Sequence, residues 1–289
     1  MCSTCGCSSN ENGITLTKMG ENHHTHHHHD GHTHSHEHHH GEDAHTQEHG
    51  HGHEHDHNHD HEHHHHHHHH SHDVNIVELE KDILHQNQLG AERNRGFFDA
   101  LNIFAMNLVS SPGSGKTSLL EKTIADLKGK IEFSVIEGDQ QTTNDAARIH
   151  ALNVPVLQIN TGKGCHLDSE MIAKSLKELK PKQNSILMIE NVGNLVCPAM
   201  FDLGENQRVV IISTTEGEDK PLKYPDMFHS SNICIINKID LLPYLKFDLE
   251  KLKENAKKVN PNITFFEVSA TSGEGMEAWY EFLKSKVTS

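Results

Sequence analysis

Ser110-Ser111-Pro112-Gly113-Ser114-Gly115-Lys116-Thr117 follows an apolar run, Phe104 to Val109, and opens a segment of helical periodicity, residues 116–128. A strand that turns through glycines into a helix is the setting a phosphate-binding loop requires. Gly113 and Gly115 let backbone N–H groups turn toward phosphates. Lys116 is placed for the β- and γ-phosphates, and the Thr117 hydroxyl for Mg²⁺. Gly113, Ser114, Gly115, Lys116, Thr117 and Ser118 are therefore the expected phosphate-binding residues. The strict motif begins with glycine, and Ser110 stands there instead. The strand, the Pro-Gly turn and Gly-Lys-Thr outweigh that departure.

Downstream, Asn237-Lys238-Ile239-Asp240 follows another apolar run, 232–236. A carboxylate at Asp240 accepts from guanine N1–H and N2–H₂, a donor pair that adenine lacks. Asn237 would orient the base and the Lys238 stem cover its face. Ser269-Ala270 follows the last strand, where the Ala270 N–H suits guanine O6. The two motifs together predict a GTP site. Between them, Glu137-Gly138-Asp139 and Glu190-Asn191-Val192-Gly193 end two further strands. Asp139 and Glu190 are the candidates for Mg²⁺ and the attacking water. Acids at exposed strand ends are the plainer alternative.

The elements around these motifs alternate. Strands are expected at 103–109, 131–136, 154–159, 185–190, 208–213, 232–236 and 263–267, and helices at 74–92, 116–128, 143–152, 168–180, 248–259 and 274–286. Continuous apolar runs such as Ile186-Leu187-Met188-Ile189 suit parallel strands covered on both faces. Asp168 and Asp248 stand where helix caps or first-turn acids belong. The expected fold is α/β, a doubly wound, mostly parallel sheet of the P-loop GTPase kind.

Two segments follow from composition: a Cys/His-rich tail over 1–73 and a folded domain over 74–289. The tail has almost no apolar residue beyond Ile14, Leu16 and Met19, so disorder is expected. It carries 29 of the 33 histidines. Residues 11–73 hold twelve acids and one base, Lys18, so most of the net charge of −16 sits there. No basic cluster suggests nucleic acid, and no apolar run approaches the ~20 residues of a membrane span. With no signal pattern, a cytoplasmic location is expected. The six cysteines then read as thiols or metal ligands.

Three metal constellations appear. Cys2, Cys5 and Cys7 can chelate one ion, and after loss of Met1 the Cys2 amine would add a ligand suited to Ni²⁺. A redox-active or incidental thiol cluster is the other reading. The histidine tract binds Ni²⁺, Zn²⁺ or Cu²⁺ loosely, as a store would. An expression tag is shorter and not interspersed with Asp, Glu, Gly, Ser and Thr. Cys165, His166 and Cys197 all lie just past strand ends on the nucleotide side. Adjacent Cys-His closes a tetrahedron poorly within one chain, which two copies across a dimer axis would solve. A buried cysteine with an incidental histidine fits the pattern equally well. Cys234 lies mid-strand and reads as core.

The stretches Asn107–Leu120, Gly138–Thr142, Gly164–Asp168, Glu190–Pro198, Phe201–Glu205 and Thr215–Pro225 resemble HypB, the hydrogenase nickel-incorporation GTPases of the SIMIBI-like class. The resemblance covers essentially all of 74–289, and the cysteine and histidine tail matches a subset of the family. It implies a slow GTPase with a GTP-dependent homodimer and an intersubunit site of Cys165, His166 and Cys197. It also implies delivery of Ni²⁺ to the [NiFe]-hydrogenase large-subunit precursor with a HypA-type nickel chaperone. The urease GTPase UreG has Cys-Pro-His instead of separate Cys165-His166 and Cys197-Pro198. Two other classes remain: a nickel or zinc store with a vestigial GTPase, and a small-molecule kinase. The kinase has no use for Asn-Lys-x-Asp or the cysteines.

Overall fold

Along each central strand the side chains alternate between two buried faces. In Ile186–Glu190, Ile186 and Met188 enter one apolar cluster, while Leu187 and Ile189 enter another on the opposite face. Both faces are dry, so the sequence shows a continuous apolar run instead of alternation.

The computed structural model describes residues 14–19, 72–139 and 144–287. All seven expected strands form, as β2 Phe104–Ser110, β3 Phe133–Asp139, β4 Val156–Asn160, β5 Ile186–Glu190, β6 Gln207–Ser213, β7 Ile233–Asn237 and β8 Thr264–Glu267. They pair in parallel. An unexpected strand, β1 Thr15–Lys18, makes an eight-stranded sheet in the order β1-β4-β3-β5-β2-β6-β7-β8.

β1 corrects the expectation of disorder through residue 73. It runs antiparallel to β4, with Thr15 opposite Asn160 and Lys18 opposite Leu157. Leu16 packs against one core cluster and Met19 against another. Two of the tail's few apolar residues, Leu16 and Met19, thus dock while Ile14 stays exposed, and β1 covers the open edge of β4. Cys2, Cys5, Cys7 and the histidine tract lie outside the described residues.

Helix α1 spans His72–Ala100, eight residues past the expected end. Its apolar stripe is not its buried face: Leu84 and Leu89 are 37% and 49% exposed. The buried positions are Asn87, Gly90, Ala91, Asn94 and Phe98, at helical spacing but partly polar. Asn94 Nδ2 donates to Ser169 O at 2.8 Å and Leu203 O at 3.0 Å. Asn87 Nδ2 donates to Asp202 O at 2.8 Å and its Oδ1 accepts from Ser169 N at 2.9 Å. Arg95 pairs with Asp202.

The remaining helices are α2 Lys116–Leu127, α3 Asn144–His150, α4 Ser169–Leu179, α5 Lys220–Lys223, α6 Pro225–Ser230, α7 Leu249–Val259 and α8 Met276–Val287. Asp168 and Asp248 do cap: each accepts a backbone N–H three residues on, from Met171 and Lys251. Cys234 is fully buried on β7, and burial pushes its thiol pKa up. No described helix is long and apolar enough to cross a membrane.

Gly204 offers a test of the α1 contact. Its φ is +89°, and an added Cβ would sit 2.5 Å from Ala91 O. Gly129 has φ +77° with nothing within 4 Å. Gly129→Ala is expected to cost about 1–2 kcal/mol from left-handed strain. Gly204→Ala should cost a further ~1–3 kcal/mol from the clash. Urea unfolding midpoints of the two variants decide this, and equal shifts would refute the close approach.

Candidate nucleotide and metal site

The loop Ser110–Gly115 leaves the end of β2, in the middle of the sheet, and α2 begins at Lys116. Gly113 has φ +78° and Gly115 φ +91°, as a loop that turns its amides inward needs. An added Cβ on Gly115 would lie 2.5 Å from Asn237 Nδ2. Unlike α4 and α7, α2 has no side-chain cap and no acid in its first turn. Its first N–H groups are therefore suited to an anion. A cavity of about 470 Å³ opens over this loop, lined also by Glu137, Asp139, Arg148, Glu190 and Lys238.

The base motif braces the same loop. Asn237 Nδ2 donates to Ser114 O at 3.0 Å, and Lys238 Nζ to Gly113 O at 2.7 Å. The Ala270 N–H, expected to face guanine, donates to Asn237 Oδ1 at 3.2 Å. Ser269 is buried and its Oγ accepts from Ser272 N. Asp240 Oδ1 is buried without a hydrogen-bond partner among the described residues. An orphaned carboxylate oxygen calls for a donor, and the guanine N–H groups expected from the sequence are donors.

Glu190 ends β5 at 1% exposure. Its Oε1 accepts from Lys116 Nζ at 3.0 Å and from Thr117 Oγ1 at 2.7 Å. Its Oε2 is buried with no partner among the described residues. In the β3–β5 register Glu137 lies opposite Glu190, so the two carboxyls are neighbours. Glu137 is 2% exposed, and its pKa is pushed up to about 8, first by burial and then by Glu190 and Asp139. Asp139 ends β3 at the cavity wall.

Cys165, His166 and Cys197 do converge: one ligand atom from each lies within 4.8 Å of the others. Cys165 and His166 follow β4, and Cys197 follows β5 after the Glu190 loop. Cys165 Sγ lies 3.7 Å from His166 Nδ1. Phe201 stacks on the imidazole at 3.8 Å. Burial lowers the pKa of His166 against the opposing charge of Asp168, which favours the neutral ring a metal needs.

Residues 104–267 match the nucleotide-binding domain described as CobW/HypB/UreG. The chain is 57% identical over 209 residues to the hydrogenase maturation factor HypB of Rhizobium leguminosarum bv. viciae, covering 72% of this chain and 70% of that one. The chain belongs to the HypB family. The crystal structure of HypB from Archaeoglobus fulgidus superimposes with a TM-score of 0.66 at 39% identity, covering 70% of this chain and 98% of that one. HypB from Helicobacter pylori in complex with nickel gives 0.65 at 38% identity, covering 70% and 95%.

The phosphate loop and the Asn237-Lys238 segment meet, as expected for one site, and Cys165, His166 and Cys197 converge, where the sequence left an incidental histidine equally open. Glu137, Arg148 and Lys220 were not singled out from the sequence. Arg148 reaches the cavity from α3, paired with Glu121 and Asp145. Lys220 Nζ lies 3.2 Å from Ser111 Oγ and pairs with Glu216. The only signal for Glu137 was its position two before Asp139, which places it on the same strand face as that candidate, while the β3–β5 register is what sets it level with Glu190.

Glu137 has a measurable signature in the nucleotide-free protein. The folded state keeps it protonated up to about 8, against an ordinary value of 4.5. Between those values the folded state binds more protons than the unfolded one, so this group's stabilisation is full below 4.5 and is lost as pH rises through 8. Unfolding in chelator from pH 5 to 9 should show a decline that Glu137→Gln flattens. An identical slope in both proteins would remove Glu137 as the cause.

Proposed function

We propose that the chain is a GTPase that delivers Ni²⁺ to the precursor of a [NiFe]-hydrogenase large subunit in a reducing cytoplasm. The observation that carries this is the Cys165–His166–Cys197 cluster, one loop away from the Glu190 that holds Lys116 and Thr117. A store has no need of that adjacency. Ligands drawn from two separate segments also set it apart from the UreG pattern. The nickel complex of the Helicobacter pylori relative supports the choice of metal, although Zn²⁺ fits the same ligands.

The nucleotide chemistry follows from the residues. Lys116 moves from Glu190 to the phosphates, and the Asp240 carboxylate selects guanine. Thr117, Asp139 and Glu190 fit Mg²⁺: the hydroxyl and both carboxylates border the phosphate cavity, and one Glu190 oxygen lacks a partner among the described residues. The ion supplies charge neutralisation at the phosphate oxygens. Glu190 and Asp139 orient water at the γ-phosphate, and Gly113–Thr117 with Ser118 hold the phosphates in place.

Two thiolates and one imidazole leave a four-coordinate ion one ligand short. A second copy, brought in by GTP, would supply it and make the site sensitive to hydrolysis. A HypA-type nickel chaperone and the hydrogenase precursor are the protein partners. Cys2, Cys5 and Cys7 form a separate site, and the histidine tract is a reservoir.

Asp240→Asn places a donor where guanine also donates. It should cut the preference for GTP over ATP about 5- to 150-fold, the equivalent of ~1–3 kcal/mol for a mispaired buried group. Competition binding measures it, and an undiminished preference would overturn the base assignment. For the metal, Cys165→Ala with Cys197→Ala should remove one class of nickel site while the weak tail sites remain. Deleting residues 21–71 should do the reverse and leave metal-free GTP turnover near normal. Equilibrium dialysis and phosphate release test both, and a large loss of turnover on deletion would contradict the reservoir role.

A further inference from the structure

Two amide side chains join the nucleotide pocket to the metal cluster, and neither belongs to the ligands of either. Asn191 directly follows Glu190 and is fully buried. Its Oδ1 accepts from Leu167 N at 3.2 Å and from Val192 N at 2.9 Å. Its Nδ2 donates to Asn107 Oδ1 at 3.1 Å, and its backbone N–H to Leu108 O at 2.9 Å. Leu167 directly follows His166. Asn194 sits three residues further on. Its Nδ2 donates to Cys165 O at 3.3 Å, and its Oδ1 accepts from Val196 N at 2.8 Å. Val196 directly precedes Cys197.

The segment from Glu190 to Cys197 therefore touches both sites in order. Glu190 holds Lys116 and Thr117. Gly193 lies against the phosphate loop, where an added Cβ would be 3.3 Å from Pro112 Cγ. Between these contacts the two amides grip the 165–167 segment from inside the same loop. Asn107, which orients Asn191, is itself fixed by Glu205 at 3.1 Å. A hydrogen bond of 3.2 Å fails when its partners separate by a few tenths of an ångström. If Glu190 shifts, Leu167 must follow or its buried N–H loses its partner, which is costly. His166 is one peptide bond from that N–H.

We propose that Asn191 is a positioning residue that makes nickel affinity depend on the bound nucleotide, and that Asn194 is a positioning residue that sets the nickel affinity itself. Asn191 carries displacement of Glu190 to His166 through the Leu167 amide. Asn194 sets the spacing of Cys165 and Cys197 by holding the Cys165 carbonyl and the Val196 amide together. The inference rests on the proposed metal and nucleotide reading, and deepens it by naming the joint between the two sites. The coupling is reciprocal, so nickel shifts nucleotide affinity by the same factor.

The experiment uses the full-length chain with Cys2, Cys5 and Cys7 changed to Ser, so that thiolate–nickel absorption reports on the internal cluster alone. Ni²⁺ is titrated in the presence of Mg²⁺ with GDP, and again with a non-hydrolysable GTP analogue. The parent should show affinities that differ at least about fivefold, the lower end of ordinary allosteric coupling. Asn191→Ala should bring the ratio to within about twofold of unity. Asn194→Ala should weaken nickel binding with both nucleotides and keep the ratio. A purely structural role would lower the thermal midpoint without moving the ratio. Should Asn191→Ala not fold, Asn107→Ala removes the support of the same amide and should reduce the ratio part-way. A parental ratio in Asn191→Ala or Asn107→Ala overturns the relay, and unchanged nickel affinity in Asn194→Ala overturns the spacing role, while the parent's own nucleotide dependence still supports the underlying reading. Equal affinities in the parent itself would instead remove that reading and the relay together.

Discussion

The Glu190 carboxylate, buried at the end of a central strand, is the constraint on which the rest of the site depends. A charge at 1% exposure must be paired, and its partners are the lysine and threonine that begin α2. That requirement locks β5 to the phosphate loop. It also leaves one oxygen without a partner among the described residues, beside a second buried carboxyl at Glu137. The protein relieves the crowding by keeping Glu137 protonated to about pH 8. Under the proposed function a phosphate would compete with Glu190 for Lys116, and Glu190 begins the loop that runs on to Cys197.

That loop is not held by apolar packing alone. Asn107, Asn191 and Asn194 satisfy one another and the backbone around them, so each buried polar group constrains the next. The same economy appears behind the metal cluster, where Asn87 and Asn94 of α1 grip Ser169, Asp202 and Leu203. Phe201, which stacks on His166, is one residue from that grip. The cluster thus sits between two polar frames, one continuous with Glu190 and one anchored to α1.

β1 gives the N-terminal segment a direction as well as an anchor. Because it runs antiparallel to β4, its first residue, Thr15, pairs with Asn160, at the end of β4 that leads into Cys165 and His166. Thr15 therefore lies at the end of the sheet from which the Cys165–His166 segment departs. An α/β domain cut at residue 74 would lose this edge strand, so truncation removes part of the sheet along with the tail.

How much was legible in the sequence depended on the range of the interaction that decided each feature. Strands buried on both faces announced themselves as apolar runs, because their cause is local composition. Asp168 and Asp248 were legible as caps for the same reason: the groups they satisfy are three residues away. The phosphate loop and the Asn237–Asp240 segment needed only a strand before them to be picked out. The buried face of α1 was illegible, since Asn87 and Asn94 become core residues only when loops around Ser169 and Leu203 supply acceptors from far along the chain. β1 was missed because four residues make a strand only when β4 offers an edge. Sequence alone determined which chemical groups this protein owns and the order in which they leave the sheet. Tertiary structure alone decided that Cys165, His166 and Cys197 meet, that Glu137 faces Glu190, and that Ala270 braces Asn237, because each of those is a distance between strands that no spacing along one strand contains.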